Sequence, residues 1–286
     1  MGVFRQDGLR LLAAVAVGLM AGPSLAVAEM RPKWELGFGA AVISSPDYRG
    51  SDESRGYLLP LPYIIYHGDV WRINRSGVYG RLIESDRMRL DISFDAGVPV
   101  DSTRNRAREG MPDLDTVLEF GPSLEFCIWN RCGSDRVLEL RLPLRALFST
   151  DFKRLDSHGG LFNPHLTLDF KNVFKGPTGG WSFSVSAGPL YATERYHDYY
   201  YQVDPTYATP QRPAYDARAG YSGWRSVWTL SRRYRQFWFG AFARYDELHG
   251  AAFEDSPLVR KRHAFMSGLA VAWVLAESKD LVDVRD

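Results

Sequence analysis

Three sets of residues in this chain could do chemistry. The segment PDYRGSDES, residues 46–54, gathers Asp47, Asp52 and Glu53 around Tyr48. Carboxylate oxygens in that density suit a hard cation such as calcium, or the hydroxyls of a sugar. The same residues also make an ordinary solvated turn held by their own Asp and Ser side chains. A second set, His263 and Ser267, offers a base and a nucleophile for acyl hydrolysis. Four strand residues separate them by ~13 Å at ~3.3 Å per residue, too far for the direct hydrogen bond that activates a nucleophile. The third set is a series of charges inside otherwise apolar segments: Arg89, Asp91, Asp95, Glu119, Glu125, Glu139, Arg141, Arg145, Asp169 and Lys171. Such residues either line a polar pore or satisfy one another as internal ion pairs. The chain has no HExxH, P-loop or dinucleotide fingerprint. Neither an enzyme nor a bound cofactor or metal is expected.

The elements that must carry these charges are strands. Arg136–Phe148 is the clearest. Leu138, Leu140, Leu142, Leu144, Ala146 and Phe148 share one parity, and Glu139, Arg141 and Arg145 lie on the other. Successive strand side chains point to opposite faces, so this segment has one apolar face and one largely charged face. Arg87–Val98 repeats the pattern, with Met88, Leu90, Ile92, Phe94, Ala96 and Val98 opposite Arg89, Asp91 and Asp95. Asp115–Phe126 sets Leu118, Phe120, Leu124 and Phe126 against Glu119 and Glu125, and Leu161–Lys171 puts His165, Asp169 and Lys171 on its polar face. His263 and Ser267 share the outward parity of Phe265, with His165 facing inward. The segments run to about the 9–11 residues that cross a bilayer as tilted strands.

The remaining strands are expected at Trp34–Val42, Tyr57–Tyr66, Val70–Asn74, Val78–Ile83, Trp181–Tyr191, Ala219–Arg232, Gln236–Asp246 and His263–Leu275. Pro60 and Pro62 share one parity of their strand and each removes a ladder donor, which predicts a bulge or weakened pairing. The count is then twelve. Loops at 44–56, 99–114, 149–160, 193–218 and 247–262 fall at one end, and short turns at the other. An even strand number with unequal loop lengths is the arrangement of an outer-membrane barrel. The expected fold is all-β, a closed antiparallel transmembrane barrel with apolar faces toward lipid, charged faces inside and both termini in the periplasm. A closed barrel leaves no strand edge unpaired in lipid.

The first 28 residues read as a cleaved secretory signal peptide. Arg5 and Arg10 precede the apolar run Leu11–Met20, and Ala26-Val27-Ala28 is an A-x-A cleavage site. A retained membrane helix is the rival reading, and Gly22-Pro23 makes it a short, poor span. Residues 29–286 would then be the barrel with a short charged tail after Leu275. The whole chain holds 35 basic and 34 acidic residues. Removing Arg5, Arg10 and Asp7 leaves 33 of each, a balance that argues against nucleic acid as a partner. Cys127 and Cys132 are the two cysteines. In an exported chain they form a candidate disulfide across a hairpin end, with two free thiols as the alternative. The tyrosines of residues 196–215 offer either a contact surface or aromatic packing over the barrel mouth.

Four segments resemble the MipA/OmpV family in order and spacing: SPDYRGSDES (45–54), LPLPYIIY (59–66), EFGPSLEF (119–126) and DSPLV (255–259). The likeness spans essentially the whole chain after the leader. The resemblance implies an outer-membrane barrel of a Gram-negative bacterium, exported by the Sec route and embedded in lipid and lipopolysaccharide. It also implies an envelope scaffold linking a lytic transglycosylase to a penicillin-binding protein. A channel for small solutes is the alternative function.

Overall fold

A computed structural model describes residues 30–68, 71–74, 77–80, 83–151, 153–176 and 179–283. The leader expected at 1–28 lies outside the described residues. The described residues are mostly antiparallel β-structure, and no described helix is long and apolar enough to cross a membrane.

The strands are β1 (Met30–Pro32), β2 (Trp34–Pro46), β3 (Ser54–His67), β4 (Trp71–Asn74), β5 (Gly77–Gly80), β6 (Ile83–Glu84), β7 (Met88–Gly97) and β8 (Thr116–Trp129). They continue with β9 (Arg136–Thr150), β10 (Leu155–Phe162), β11 (His165–Gly176), β12 (Gly179–Ala192), β13 (Gly220–Tyr234), β14 (Phe237–Glu247), β15 (His263–Glu277) and β16 (Leu281–Asp283). Fourteen of these segments form one sheet, ordered β5-β4-β3-β2-β15-β14-β13-β12-β10-β9-β8-β7-β6, with β11 between β12 and β9. Neighbours in this order are neighbours in sequence apart from β12–β10 and β11–β9, where β10 and β11 share one position between β9 and β12, and the β15–β2 pair, which joins the last long strand to the first. The two ends of the order, β5 and β6, are consecutive in the chain. β6 pairs with β7 through Ile83↔Leu90 and Glu84↔Arg89, and β5 also comes within 8 Å of β7 between Cα atoms.

Several boundaries differ from the sequence expectation. The loop expected at 149–160 is mostly strand, because β9 runs to Thr150 and β10 starts at Leu155. The single strand expected at Leu161–Lys171 is broken at Asn163-Pro164, where proline supplies no ladder donor. The bulge predicted at Pro60 and Pro62 is absent from the β2–β3 ladder, which runs without a register shift from Trp34↔Tyr66 to Pro46↔Ser54. The short charged tail expected after Leu275 contributes β16, which pairs with β1 through Met30↔Asp283 and Pro32↔Leu281. The long loop at 193–218 contains helix α1 (Glu194–Tyr201).

Burial is inverted relative to a water-soluble sheet. On β9 the parity of Val137, Glu139, Pro143, Arg145, Leu147 and Ser149 is buried, and Leu144 on the other parity is 56% exposed. Leu58, Phe38, Phe94, Phe239, Phe265, Leu269 and Trp273 are likewise exposed on the sheet's outer side. No second layer of described residues covers that side. The sheet curls the other way, around its charges. Tyr63 on β3 meets Trp238 on β14, ring centroids 6.0 Å apart, although β2 and β15 lie between them in the sheet. Gly37 and Gly39 face inward on β2, where β15 backbone occupies the space a Cβ would need.

Candidate functional site

The largest apolar cluster is not in the sheet but at one end of it. Tyr48, Val100, Leu114, Tyr201, Val203, Ala217, Leu248, Ala251, Phe253 and Leu258 come from four inter-strand loops and pack into one buried core. Tyr201 at the end of α1 lies flat on Phe253, with centroids 3.6 Å apart and planes at 5°. Its hydroxyl donates to Arg49 O at 2.9 Å, and Ser256 Oγ donates to Tyr201 O at 2.7 Å. Tyr48 OH donates to Leu258 O at 2.9 Å. Arg212 donates to the carbonyls of Ala107 (3.1 Å) and Glu109 (2.9 Å), tying the 98–115 loop to the loop after α1. Burial pushes the Tyr48 and Tyr201 phenols well above the ordinary tyrosine range, so both remain donors at any physiological pH. These loops form a cap with its own hydrophobic core.

The segment PDYRGSDES belongs to this cap. Asp47 accepts from Arg55 Nε at 2.7 Å and from Asn105 Nδ2 at 2.8 Å. Glu53 accepts from Arg106 Nε at 3.0 Å, and Asp52 pairs with Arg106 at 3.2 Å. Each of the three carboxylates is thus turned to a cation of a neighbouring segment, an arrangement unlike the converging oxygens of a calcium site. Among the described residues no group of three or more metal-ligating side chains occurs.

Below the cap the charged faces of the strands converge in pairs. Arg145 on β9 lies 3.3 Å from Glu119 and 3.6 Å from Asp95, and Tyr196 OH of α1 donates to Glu119 at 3.0 Å. Arg141 lies 2.5 Å from Glu139, 3.5 Å from Glu125 and 3.6 Å from Asp169. Asp91 is buried on the same face, and Arg89 is held there by interactions of its own. Lys171 stands toward the far end of β11, its N–H donating to Asp135 O at 2.6 Å. The series picked out in the sequence is therefore brought onto one concave face, most of it as ion pairs.

Sequence reasoning missed the cluster around Asp246. That carboxylate, 1% exposed, lies 2.8 Å from Arg225, 3.0 Å from Arg244 and 3.1 Å from Arg49. Arg244 and Asp246 share a parity on β14, a visible signal. Arg49 comes from the first loop and Arg225 from β13, and only the fold unites them. The concave face is also not charged throughout. Tyr63, Ile65, Ala272 and Val274 form an apolar cluster on β3 and β15, with Leu61 and Trp238 against it. A cavity of about 470 Å³ lies between cap and strands, its lining including Tyr57, Leu59, Glu119, Tyr196, Arg225 and Arg244. His263 is exposed on the outer side, away from this cavity, and Ser267 shares its parity on β15. A disulfide joins Cys127 to Cys132, Cα atoms 5.4 Å apart, at the opposite end of the sheet from the cap. Asn130, with φ 63°, turns the chain between them.

A search of curated proteins returned no match. The family profile described as MltA-interacting protein MipA matches residues 38–275, from within β2 nearly to the end of β15. Exposed apolar strand faces, buried charge and the length of that match converge, and the chain belongs to the MipA family.

Proposed function

We propose that this protein is an outer-membrane scaffold: a closed barrel of twelve strands in lipid whose periplasmic end presents a docking face to a murein-degrading enzyme. In this reading β5 and β6 share one position in the wall and close its periplasmic part between β4 and β7. Residues 1–28 are the signal peptide removed after Sec export, and residues 29–286 the mature barrel. The short turns and the β1–β16 pair face the periplasm, and the cap faces outward.

The observation that carries the scaffold reading is the cap. A pore needs an open mouth, and here four loops fill that end with a buried aromatic core. The family description names a lytic transglycosylase partner, MltA, and the periplasmic end is where such an enzyme meets the barrel. A penicillin-binding protein would join through the same assembly. The mature protein immobilised in detergent is expected to retain a purified lytic transglycosylase; no retention above a capped barrel of another family overturns the reading.

The paired charges on the concave face and the cavity above them favour the second reading, a channel for small solutes. Purified protein in planar bilayers separates the two. Stable unitary conductance supports the channel, and silence supports the plugged scaffold.

A further inference from the structure

The wall between β3 and β7 is built from less chain than the rest. There β4, β5 and β6 have 4, 4 and 2 residues, whereas β12 and β13 alone have 14 and 15 residues. The register Tyr66↔Ile73 and His67↔Arg72 puts Asn74, the last residue of β4, level with Ile65. β3 continues from Ile64 to Ser54, a further ~36 Å of strand edge at ~3.3 Å per residue. Among the described residues no strand pairs with that edge.

The backbone itself marks the opening. His67 N–H donates to Lys33 O at 2.8 Å and Asp47 N–H donates to Glu53 O at 3.0 Å. Odd-numbered residues of β3 thus bond toward β2, and even-numbered residues turn their backbone groups to the other side. Pro60 and Pro62 are even-numbered, so their missing donors fall on the open edge, where proline is tolerated. At membrane depth such an edge persists only where it borders water or other polar groups. Above it, Arg55 bonds Asp47 and donates to Arg104 O at 2.6 Å, and Arg106 bonds Glu53, so the loops lock over the top of the gap. Among the described residues no strand closes the side.

The cavity reaches this edge through Tyr57 and Leu59 of β3 and through Asp95 and Gly97 of β7. Its size falls within the ~300–1,000 Å³ of ligand pockets. Its wall is divided. Leu59, Ile43 and Met266 are apolar, and the floor carries the guanidiniums of Arg49, Arg225 and Arg244, with Arg145 behind Glu119. In the enclosed part of the site four guanidiniums, Arg49, Arg225, Arg244 and Arg145, outnumber the carboxylates Glu119 and Asp246, with Asp47 neutralised by Arg55 and with Asp95 and Asp115 exposed at the rim.

The geometry points to a lateral port between β3 and β7 through which an anionic, single-chain amphiphile enters the cavity from the membrane. Its chain lies along Leu59 and Met266 and its head group meets Arg225 and Arg244. The inference rests on the barrel reading above. The test uses the full mature protein in phosphatidylcholine vesicles, titrated with doxyl-labelled dodecanoate and read by electron paramagnetic resonance. One saturable immobilised site per chain is expected. Leu59→Trp, which fills the port, should weaken binding by about tenfold or more, whereas Leu58→Trp, on the lipid side, should leave it unchanged. Labelled dodecanol should bind about tenfold more weakly than the carboxylate. Vesicle-inserted, heat-modifiable protein that shows no saturable site overturns the port and leaves the barrel standing. Equal binding by the two tryptophan variants also overturns the port, and equal binding of alcohol and carboxylate overturns the head-group assignment. Failure to insert into vesicles at all overturns the barrel reading and the port with it.

Discussion

Arg233 on β13 bonds the carboxylate of Glu35 on β2, although β14 and β15 stand between those strands in the sheet. Strands lie about 4.8 Å apart, so a flat sheet would separate their backbones by ~14 Å on that path. The ion pair is reached because the sheet curls toward its charged side. Glu35 also accepts from Tyr63 OH at 3.1 Å, so three strands meet at one carboxylate. Arg233→Met should leave that carboxylate desolvated and without its cation. Removing one member of a fully buried pair costs about 3–5 kcal/mol; with Arg233 a quarter exposed, about 1–3 kcal/mol is expected. The double variant Arg233→Met/Glu35→Gln should recover most of the loss. A urea midpoint equally low in both would show that the pair does not hold this part of the sheet.

Leu144 tests which solvent surrounds the outer face. It lies near the middle of β9, is 56% exposed, and sits between the inward Pro143 and Arg145. In water, Leu144→Arg would be nearly neutral, because an exposed leucine has little to lose. At the midplane of a bilayer the same change should destabilise by about 2–4 kcal/mol. Unfolding from phospholipid vesicles in guanidinium measures it, and an unaltered midpoint would mean that the leucine face is not in lipid.

How much of this was legible in the chain depends on where the information sat. On β9 and β7 one parity is apolar and the other charged, so strand and orientation could be read together from Leu144 beside Arg145, or Phe94 beside Asp95. β3 hid its orientation. Leu58, Pro60, Pro62 and Ile64 on one face are as apolar as Leu59, Leu61, Tyr63 and Ile65 on the other, and alternation carries no signal there. The cap was legible only as one of two alternatives, aromatic packing of residues 196–215 over the barrel mouth, and its partner loops were not legible at all. Tyr48 and Leu258 are 210 residues apart, and Tyr201 and Phe253 lie in segments without any strand or helix period. The Asp246 cluster was half visible, as two charges on β14. Its other arginines arrive from β13 and from the first loop, contacts that no local pattern announces.

His197 makes the cap sensitive to pH. Its ring is buried against Phe253, centroids 4.7 Å apart, and its Nδ1–H donates to Arg218 O. Burial holds the imidazole below the usual histidine range, and nearby Arg49 adds to this, while the hydrogen bond to Arg218 works the other way. A histidine whose folded pKa is depressed stabilises the fold above its unfolded value of about 6.5, and that stability is lost as pH falls below it. Proteolysis within residues 193–219 should therefore accelerate as pH drops from neutral toward 5, with the sheet still intact by circular dichroism. His197→Phe should flatten this dependence. Equal protection of the wild-type loop at both pH values would contradict it.

The disulfide can be tested independently of the membrane. Cys127 lies near the end of β8, Cys132 lies in the turn before β9, and Cys132 N–H donates to Asp86 O at 3.0 Å in the adjacent turn. The bridge therefore fixes a turn that two hairpins share. A loop this short removes little chain entropy from the unfolded state, so the stabilisation expected is about 2 kcal/mol, at the low end for disulfides. Cys127→Ala/Cys132→Ala should lower stability by that amount without preventing assembly. In protein purified without reductant, a maleimide should label neither cysteine, and both after reduction under denaturing conditions. Ready labelling of the untreated, unfolded chain would show that the bridge does not form during export, and the expected stability loss would vanish with it.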